Sequence, residues 1–401
     1  MKIWLMNRYY YPNVGGIENS LFYISKALTE QGHSVIILTQ KLVDKEAERR
    51  EYANLKYYTY NENKLIRLFF PLRLLNRYIV VKKYIGEIIS EVGEPDYVIS
   101  RDPVMGWAYK KVGKNNKIMY IPPSVFAYNK IQKENTNSLL HYIVMNTYQK
   151  EEQWFQEQCF RHIKYVIVFS RNVKAQIMKR MGKCGNNVKV LYPGCDEKFF
   201  DSSKQYAYNK DIIKILFVGR LVEDKNVMMV LKALKELKNQ NIYFDIVGDG
   251  MQKKLLEDFA RQNNLEKVCF RGKSNTPEEY YAQCDFFVLP SKYEAFGQVI
   301  AESMASGTPV IGFRTILGKT LTAVEELIED DVTGIIIKDF SVASMKEALS
   351  KAIEIKRDEV KYMQMRQRCS QEAKTKFRWG NFVHQCLVAM EETSYEKSTI
   401  D

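Results

Sequence analysis

Glu294 and Glu302 stand eight residues apart on either side of Ala295-Phe296-Gly297, in a run that continues to Gly307-Thr308-Pro309-Val310-Ile311. The apolar stretch Phe286-Phe287-Val288-Leu289 before it reads as a buried parallel strand. From about residue 296 to 306 the apolar positions recur at helical spacing, with Gly307 placed to end the helix. The amides of Ala295, Phe296 and Gly297 are therefore expected at an open helix N-terminus, which favours an anion, and Gly297 lets a ligand come close to the backbone. A glutamate at 294 would not neutralise that anion. It would accept hydrogen bonds from uncharged hydroxyls, and Glu302, about two turns into the helix, from a second hydroxyl pair. A nucleotide-sugar, with hydroxyls on both sides of phosphate, has that shape. Either glutamate alone would read as a solvated helix residue.

A second pair is cationic. The strand-like run Phe217-Val218-Gly219-Arg220 leads to Lys225, which puts a guanidinium and an ammonium at a strand's carboxyl end. The first could grip phosphate oxygens as a fork and the second could add a point charge. Breaking a sugar–phosphate bond builds negative charge on the departing diphosphate, and losing one fixed donor aimed at such charge costs about 3 kcal/mol. One cation alone would read as surface. The sequence contains no Asp-x-Asp and its four His are scattered, so no metal ligand set is expected; no Ser-His-Asp triad or Walker-type loop is present either.

These residues need two α/β frameworks to hold them. A chain of 401 residues is long for one core. Residues 2–6, a glycine loop Val14-Gly15-Gly16-Ile17-Glu18, a helix over 19–30 and a strand over 34–38 form one β–loop–α–β unit. Strands at 97–100, 117–121 and 165–170 continue it. A second alternation begins with a strand at 214–219, followed by a helix over 227–237 and a strand over 243–247. After Gly248-Asp249-Gly250 come a helix over 252–262 and a strand over 268–271. The boundary is expected at residue 195, before a polar tract over 201–211, and a ligand cleft is expected between the domains. Composition is globular, with 46% hydrophobic and 27% charged residues. Seven Cys without a Cys-x-x-Cys argue against a disulfide framework or thiolate zinc site, and the sequence runs from Met1 into strand-like residues without a signal-peptide pattern; a cytoplasmic protein is expected. The net charge of +12 points to anionic partners.

Taken together, Val218-Gly219-Arg220 with Lys225, Val247-Gly248-Asp249-Gly250, Leu289-Pro290-Ser291, and Glu294 with Glu302 before Gly307-Thr308-Pro309-Val310 closely resemble the family 4 retaining glycosyltransferases of GT-B fold. Gly15-Gly16, Pro193-Gly194-Cys195-Asp196 and the tail from Phe377-Arg378-Trp379 fit the same family. The resemblance implies two doubly wound Rossmann-like domains, an acceptor-binding one over 1–195 and a nucleotide-sugar-binding one over 196–376. Residues 377–401 would be a helix and tail crossing back to the first domain. It implies that Arg220 and Lys225 hold the donor diphosphate, Glu294 the sugar hydroxyls and Glu302 the ribose. Gly15, Gly16, Gly219 and the amides of Ala295, Phe296 and Gly297 would complete the donor site. The family needs no metal or other cofactor and keeps the donor's anomeric configuration, the leaving phosphate itself helping to deprotonate the acceptor.

One position departs from that pattern. Asp96-Tyr97-Val98-Ile99-Ser100-Arg101-Asp102 carries Arg101 where many members have histidine. Arg101 cannot serve as a base; it is expected to position the sugar or stabilise charge, with Asp102 contacting the acceptor, unless the two only shape a loop. Relatives of this appearance commonly build bacterial surface polysaccharide (O-antigen, capsule or exopolysaccharide) on a lipid-diphosphate carrier. Residues 63–84 fit such a peripheral enzyme on the inner face of the plasma membrane: Lys64, Arg67, Arg73, Arg77, Lys82 and Lys83 lie among apolar residues with no acid, interrupted by Pro71. A solvated surface helix pair would give the same pattern. Rival readings are a GT-B-fold sugar-nucleotide epimerase, which would want acid–base residues around the sugar, and a sugar-nucleotide binder without turnover. A nucleic-acid binder would leave the glutamate pair without purpose.

Overall fold

The computed structural model describes residues 1–10, 16–40, 55–60, 73–114, 116–123, 139–182, 187–203, 206–237 and 241–395, the side chains of 139–145 and 392–395 excepted. It divides into two compact units: residues 1–169, 173–191 and 379–401 form unit 1, and residues 170–172 and 192–378 form unit 2.

Unit 1 opens with β1 (Lys2–Met6), α1 (Gly16–Glu30), β2 (Ser34–Gln40), β3 (Lys56–Tyr60), α2 (Arg73–Val92) and β4 (Tyr97–Ser100). It continues through α3 (Pro103–Val112), β5 (Ile118–Tyr120), α4 (Leu139–His162), β6 (Tyr165–Val168), α5 (Arg171–Met181) and β7 (Val188–Val190). Its described strands are all parallel, in the order β3-β2-β1-β4-β5-β6-β7. The central strands are covered on both faces, which is why Ile3-Trp4-Leu5-Met6 and Val35-Ile36-Ile37-Leu38 are unbroken apolar runs rather than alternating ones. Edge strand β3, Lys-Tyr-Tyr-Thr-Tyr, is mostly half-buried and carries no such signature. In α1 the buried residues Leu21, Ile24, Ala27 and Leu28 follow helical spacing onto β1 and β2. Gly16 is the first residue of α1 rather than part of a loop, and Gly15 lies outside the described residues.

Unit 2 contains α6 (Glu197–Ser202), β8 (Ile213–Val218), α7 (Val227–Glu236), β9 (Ile242–Val247), α8 (Lys253–Gln262), β10 (Val268–Gly272) and α9 (Pro277–Gln283). Then follow β11 (Phe286–Leu289), α10 (Gln298–Ala305), β12 (Val310–Phe313), α11 (Val324–Leu327), β13 (Gly334–Ile337), α12 (Val342–Arg357) and α13 (Glu359–Lys376). The sheet is parallel, ordered β10-β9-β8-β11-β12-β13. In both sheets the order reverses between the unit's first and fourth strands, where a doubly wound sheet opens a crevice at the strands' carboxyl ends.

The first unit gives way at Leu191–Tyr192, against the expected residue 195, and the described part of the polar tract lies in unit 2. Tyr206 donates to Asp285 and Tyr208 to the Lys356 carbonyl (2.7 Å), while Lys356 pairs with Asp285 in the interior. At the other end α14 (Trp379–Tyr395) returns to unit 1. Its Phe382, Val383, Cys386, Leu387 and Met390 are buried in the core cluster of α1, β1 and β2, and Trp379 stacks on Tyr23. Each fully buried side chain of that size contributes about 1.5–3 kcal/mol, so the contact anchors the tail.

Candidate active site

The loops after β8 and β11 are neighbours because those strands pair, Phe286 with Ile215 and Phe287 with Leu216. The loop after β8 is held by the one after β9: Leu221 N donates to Asp249 O (2.9 Å) and Gln252 N to Leu221 O (2.9 Å). That approach requires glycine at 248 and 250, where a Cβ would sit 1.8 Å from Gly219 O and 2.3 Å from Leu221 O. The chain then makes a short 3-10 turn, Glu223–Lys225, and leaves it through Asn226 in the left-handed region (φ 52°). Asn226 Nδ2 donates to Pro290 O (3.3 Å) and Lys292 N to Asp224 O (2.8 Å), which ties this loop to the one after β11.

This scaffold brings Lys225 and Glu294 into an ion pair. Both are mostly buried, and Ser291 Oγ also donates to Glu294 Oε1 (3.4 Å). The two residues given separate assignments, ammonium to phosphate and carboxylate to hydroxyls, thus meet at one contact. Arg220 is exposed, and its guanidinium makes no hydrogen bond or ion pair among the described residues. Gly219 precedes it at the end of β8.

After Glu294 the helix starts later than its apolar spacing implied. Gly297 caps α10 at φ 79°, a conformation that admits glycine readily, and a Cβ there would lie 2.9 Å from Ile300 Cδ1. The amides of Ala295 and Gly297 donate to nothing among the described residues, so they remain open as the expected anion-binding groups; Phe296 is buried against Tyr192 and Phe377. Gln298 Nε2 donates to Gly194 O (2.9 Å), which sets the Pro193-Gly194-Cys195-Asp196 loop against the first turn of α10.

Glu302 belongs to an adjoining cluster. Tyr281 Oη donates to its Oε2 (3.4 Å), and Lys198, Asp196 and Glu278 are its charged neighbours. Burial pushes its carboxyl up to about 7, against the Tyr281 hydrogen bond and the Lys198 charge. Tyr281, Lys198 and Asn226 carried no motif; only the turn-forming tendency of an asparagine after Glu223-Asp224-Lys225 hinted at the last.

Unit 1 places its candidates differently. Arg101 is 3% exposed, with its guanidinium donating to Ser20 Oγ and Ile121 O (3.4 Å) and lying over the Phe169 ring. Burial lowers its pKa to about 10, so it keeps its proton at neutral pH. Asp102 is buried too: Oδ1 accepts from Met105 N (2.9 Å) as N-cap of α3, and Oδ2 pairs with Arg77. The two do not pair with each other, and Asp102's oxygens are already engaged. Arg77 is also a correction to the basic segment, since it faces the interior and bonds Tyr60 Oη (3.2 Å) besides Asp102. Burial pulls its pKa down and Asp102 and Tyr60 push it further up. Lys82 and Lys83 are exposed, Arg73 half-buried, and Lys64, Arg67 and Pro71 lie outside the described residues. Among the described residues no group of three His, Cys, Asp or Glu side chains is placed to hold a metal ion.

Two family models together span residues 14–376: Glycosyltransferase Family 4 matches residues 14–199 and Glycosyl transferases group 1 matches residues 198–376. The chain belongs to the family 4 type of GT-B glycosyltransferases. This glycosyltransferase is 27% identical to an uncharacterized glycosyltransferase of Methanocaldococcus jannaschii over 47% of the chain and 49% of that protein. It is 33% identical to the N-acetylgalactosamine-N,N'-diacetylbacillosaminyl-diphospho-undecaprenol 4-alpha-N-acetylgalactosaminyltransferase of Campylobacter jejuni, over 35% of the chain and 37% of that enzyme. The chain thus spans about half or less of these curated relatives. Its fold matches Anabaena HepE, solved in complex with UDP-glucose, with a TM-score of 0.68 at 16% identity over 98% of this chain and all of that one.

Proposed function

We propose that this glycosyltransferase moves a sugar from a nucleotide-sugar to a hydroxyl of a lipid-linked glycan, with retention and without a metal, in bacterial surface polysaccharide synthesis. The observation that carries the donor assignment is the grouping at the reversal point of unit 2. Exposed Arg220, the Lys225–Glu294 pair and the open Ala295 and Gly297 amides lie on loops of two adjacent strands. The HepE complex supports a uridine diphosphate sugar, and the Campylobacter relative's diphospho-undecaprenol acceptor supports a lipid-linked one.

In this reading Arg220, Lys225 and the two amides take the diphosphate, while Glu294 turns to the sugar hydroxyls and Glu302 to the ribose. The bond from the anomeric carbon to the diphosphate oxygen breaks and a bond to the acceptor oxygen forms on the same face. The acceptor's proton passes to the departing phosphate oxygen. Fixed cations and amides stabilise the charge that develops there. Nucleotide release from UDP-, GDP- and ADP-sugars, with and without acceptor, tests this: release by the wild type and its loss in Arg220→Ala is expected. Binding of all donors without release would leave a sugar-nucleotide binder instead.

The membrane reading rests on α2. Leu75 (39% exposed), Ile79 (59% exposed), Lys82 and Lys83 share one outward face, and no helix among the described residues is long and apolar enough to cross a membrane. Cations beside exposed apolar residues suit a peripheral site on the anionic inner face of the plasma membrane. Flotation with phosphatidylglycerol vesicles should recover the wild type and lose Ile79→Glu and the Lys82→Glu/Lys83→Glu double variant; equal recovery of all three removes the claim.

A further inference from the structure

At the carboxyl edge of unit 1's sheet, charged and phenolic groups gather from several elements. Arg8 follows β1, Tyr60 ends β3, Arg77 lies on α2, Asp102 follows β4 and Tyr120 ends β5. The helix α4, packed against α2 and α3, contributes Tyr148 and Glu152, one turn apart on the same helix face. The electrostatic neighbours of both are Arg8, Arg77 and Asp102, and Glu152 is also a neighbour of Tyr148.

The deeper members are occupied. Arg77 pairs with Asp102 and bonds Tyr60, Asp102 caps α3, and Arg8 Nε donates to Gln40 Oε1 (3.0 Å). Tyr148 and Glu152 are not. Both are half-buried, and neither the hydroxyl nor the carboxylate makes a hydrogen bond among the described residues. A carboxylate and a phenol that keep no protein partner at a half-buried place stay available to a ligand or water. A carboxylate and a phenol side by side, with a guanidinium near to balance charge, match two neighbouring hydroxyls of a pyranose: the carboxylate accepts, and the phenol donates or accepts.

We propose that Tyr148 and Glu152 form the subsite for the acceptor sugar, binding adjacent hydroxyls of its ring. This rests on the transferase reading above and adds the residues that would choose the acceptor. The bound sugar leaves the Arg77–Asp102 pair undisturbed; that pair's role is to hold α2 and α3 beneath the subsite. Burial first, then the Asp102 charge, pushes the Glu152 carboxyl up to about 7, opposed by Arg77 and Arg8, with Tyr120 and Tyr148 the phenols facing it. Acceptor use should therefore rise as pH climbs through that value and the carboxylate forms.

The test uses the full chain and the fastest donor among UDP-glucose, UDP-N-acetylglucosamine and GDP-mannose. Acceptors are octyl glycosides of glucose, galactose and N-acetylglucosamine and undecaprenyl-diphosphate-linked N-acetylglucosamine. Glu152→Ala should lower kcat/KM for the best acceptor by about 30-fold and Tyr148→Phe by about 5-fold, the range of single hydrogen bonds to charged and neutral partners. Donor Kd and the slow release of nucleotide to water should stay within about twofold. Glu152→Gln should also flatten the rise of acceptor kcat/KM around neutral pH. Acceptor kinetics within about twofold of wild type in both Glu152→Ala and Tyr148→Phe would overturn the subsite while leaving the transferase intact. An equal loss of donor binding and water release would make Glu152 merely structural, which also overturns it. Failure of the wild type to release nucleotide from any donor would bring down the transferase reading and this subsite with it.

Discussion

Where strand order reverses in unit 1, between β1 and β4, the chain after β4 carries Arg101 and Asp102, both buried and bonded to protein groups. Where it reverses in unit 2, between β8 and β11, the chain after β8 carries an exposed Arg220, and its Lys225 meets Glu294 in a pair that water still reaches. The topology is shared, but the charges are used in different ways. Buried charges with complete partners fix backbone, because moving either group strands the other in a low-dielectric interior. Charges at the surface of a crevice, incompletely partnered, can exchange protein contacts for ligand contacts. Two similar sheets can thus supply one rigid floor and one ionic grip.

The largest effect should come from breaking the floor. Asp102→Ala leaves Arg77 buried without its carboxylate and removes the cap of α3; a loss of about 3–5 kcal/mol of unit 1 stability is expected by denaturant unfolding. Arg77→Met should be milder, because it leaves Asp102 its bond to the Met105 amide. A denaturation curve for Asp102→Ala that overlays the wild type would mean the buried pair is dispensable, and the contrast between the units would fail.

In unit 2 the order of effects should invert. Arg220→Ala and Lys225→Ala should each reduce kcat/KM by about 100-fold, near 3 kcal/mol of transition-state stabilisation. For Arg220→Ala the unfolding free energy should stay within about 0.5 kcal/mol, as for an exposed site. Combining Lys225→Ala with Glu294→Ala should cost less than the sum of the two, since both act through one contact. Strict additivity would show that the pair separates completely before chemistry. A smaller loss is expected from Gly297→Ala: an alanine held at φ 79° is strained by about 1–2 kcal/mol and presses on Ile300. Unchanged melting in that variant would mean the loop relaxes freely.

How far the chain could be read without coordinates follows the same physics. Central strands such as β1, β2 and β11 were legible because burial on both faces writes them as continuous apolar runs. Edge strand β3 was not, since Lys56-Tyr57-Tyr58-Thr59-Tyr60 has one guarded face and no such run. By composition Arg77 counts among the cations of a membrane-surface or solvated segment, yet its phase says otherwise: Leu74, Arg77, Val81, Ile85 and Ile88 share the inward face of α2. Asp102 before Pro103 is a readable N-cap signal that neither the acceptor-contact reading nor the loop-shaping one uses. The meeting of Lys225 with Glu294 depends on which strands are neighbours, and local spacing does not encode that. Tyr148 and Glu152 carry no motif at all; only burial without a bonding partner marks them.

The smallest effect sharpens the comparison most, because among the described residues each unit has a carboxyl pushed up to about 7: Glu152 in unit 1 and Glu302 in unit 2. For Glu302 the folded value lies above the unfolded one, so between the ordinary carboxylate range and about 7 the folded state holds a proton that the unfolded state has lost. Stability therefore falls as pH rises through that window, and Glu302→Gln should flatten the fall. Donor affinity should move the opposite way. If Glu302 takes the ribose as proposed, its ionised form accepts those hydroxyls best, so donor KM should drop a few-fold from about pH 6 to about pH 8. Glu302→Gln should abolish the drop while the acceptor's own rise with pH persists. If that single change erased both dependences, one group would govern donor and acceptor together, and the division of labour between the two sheets would have to be redrawn.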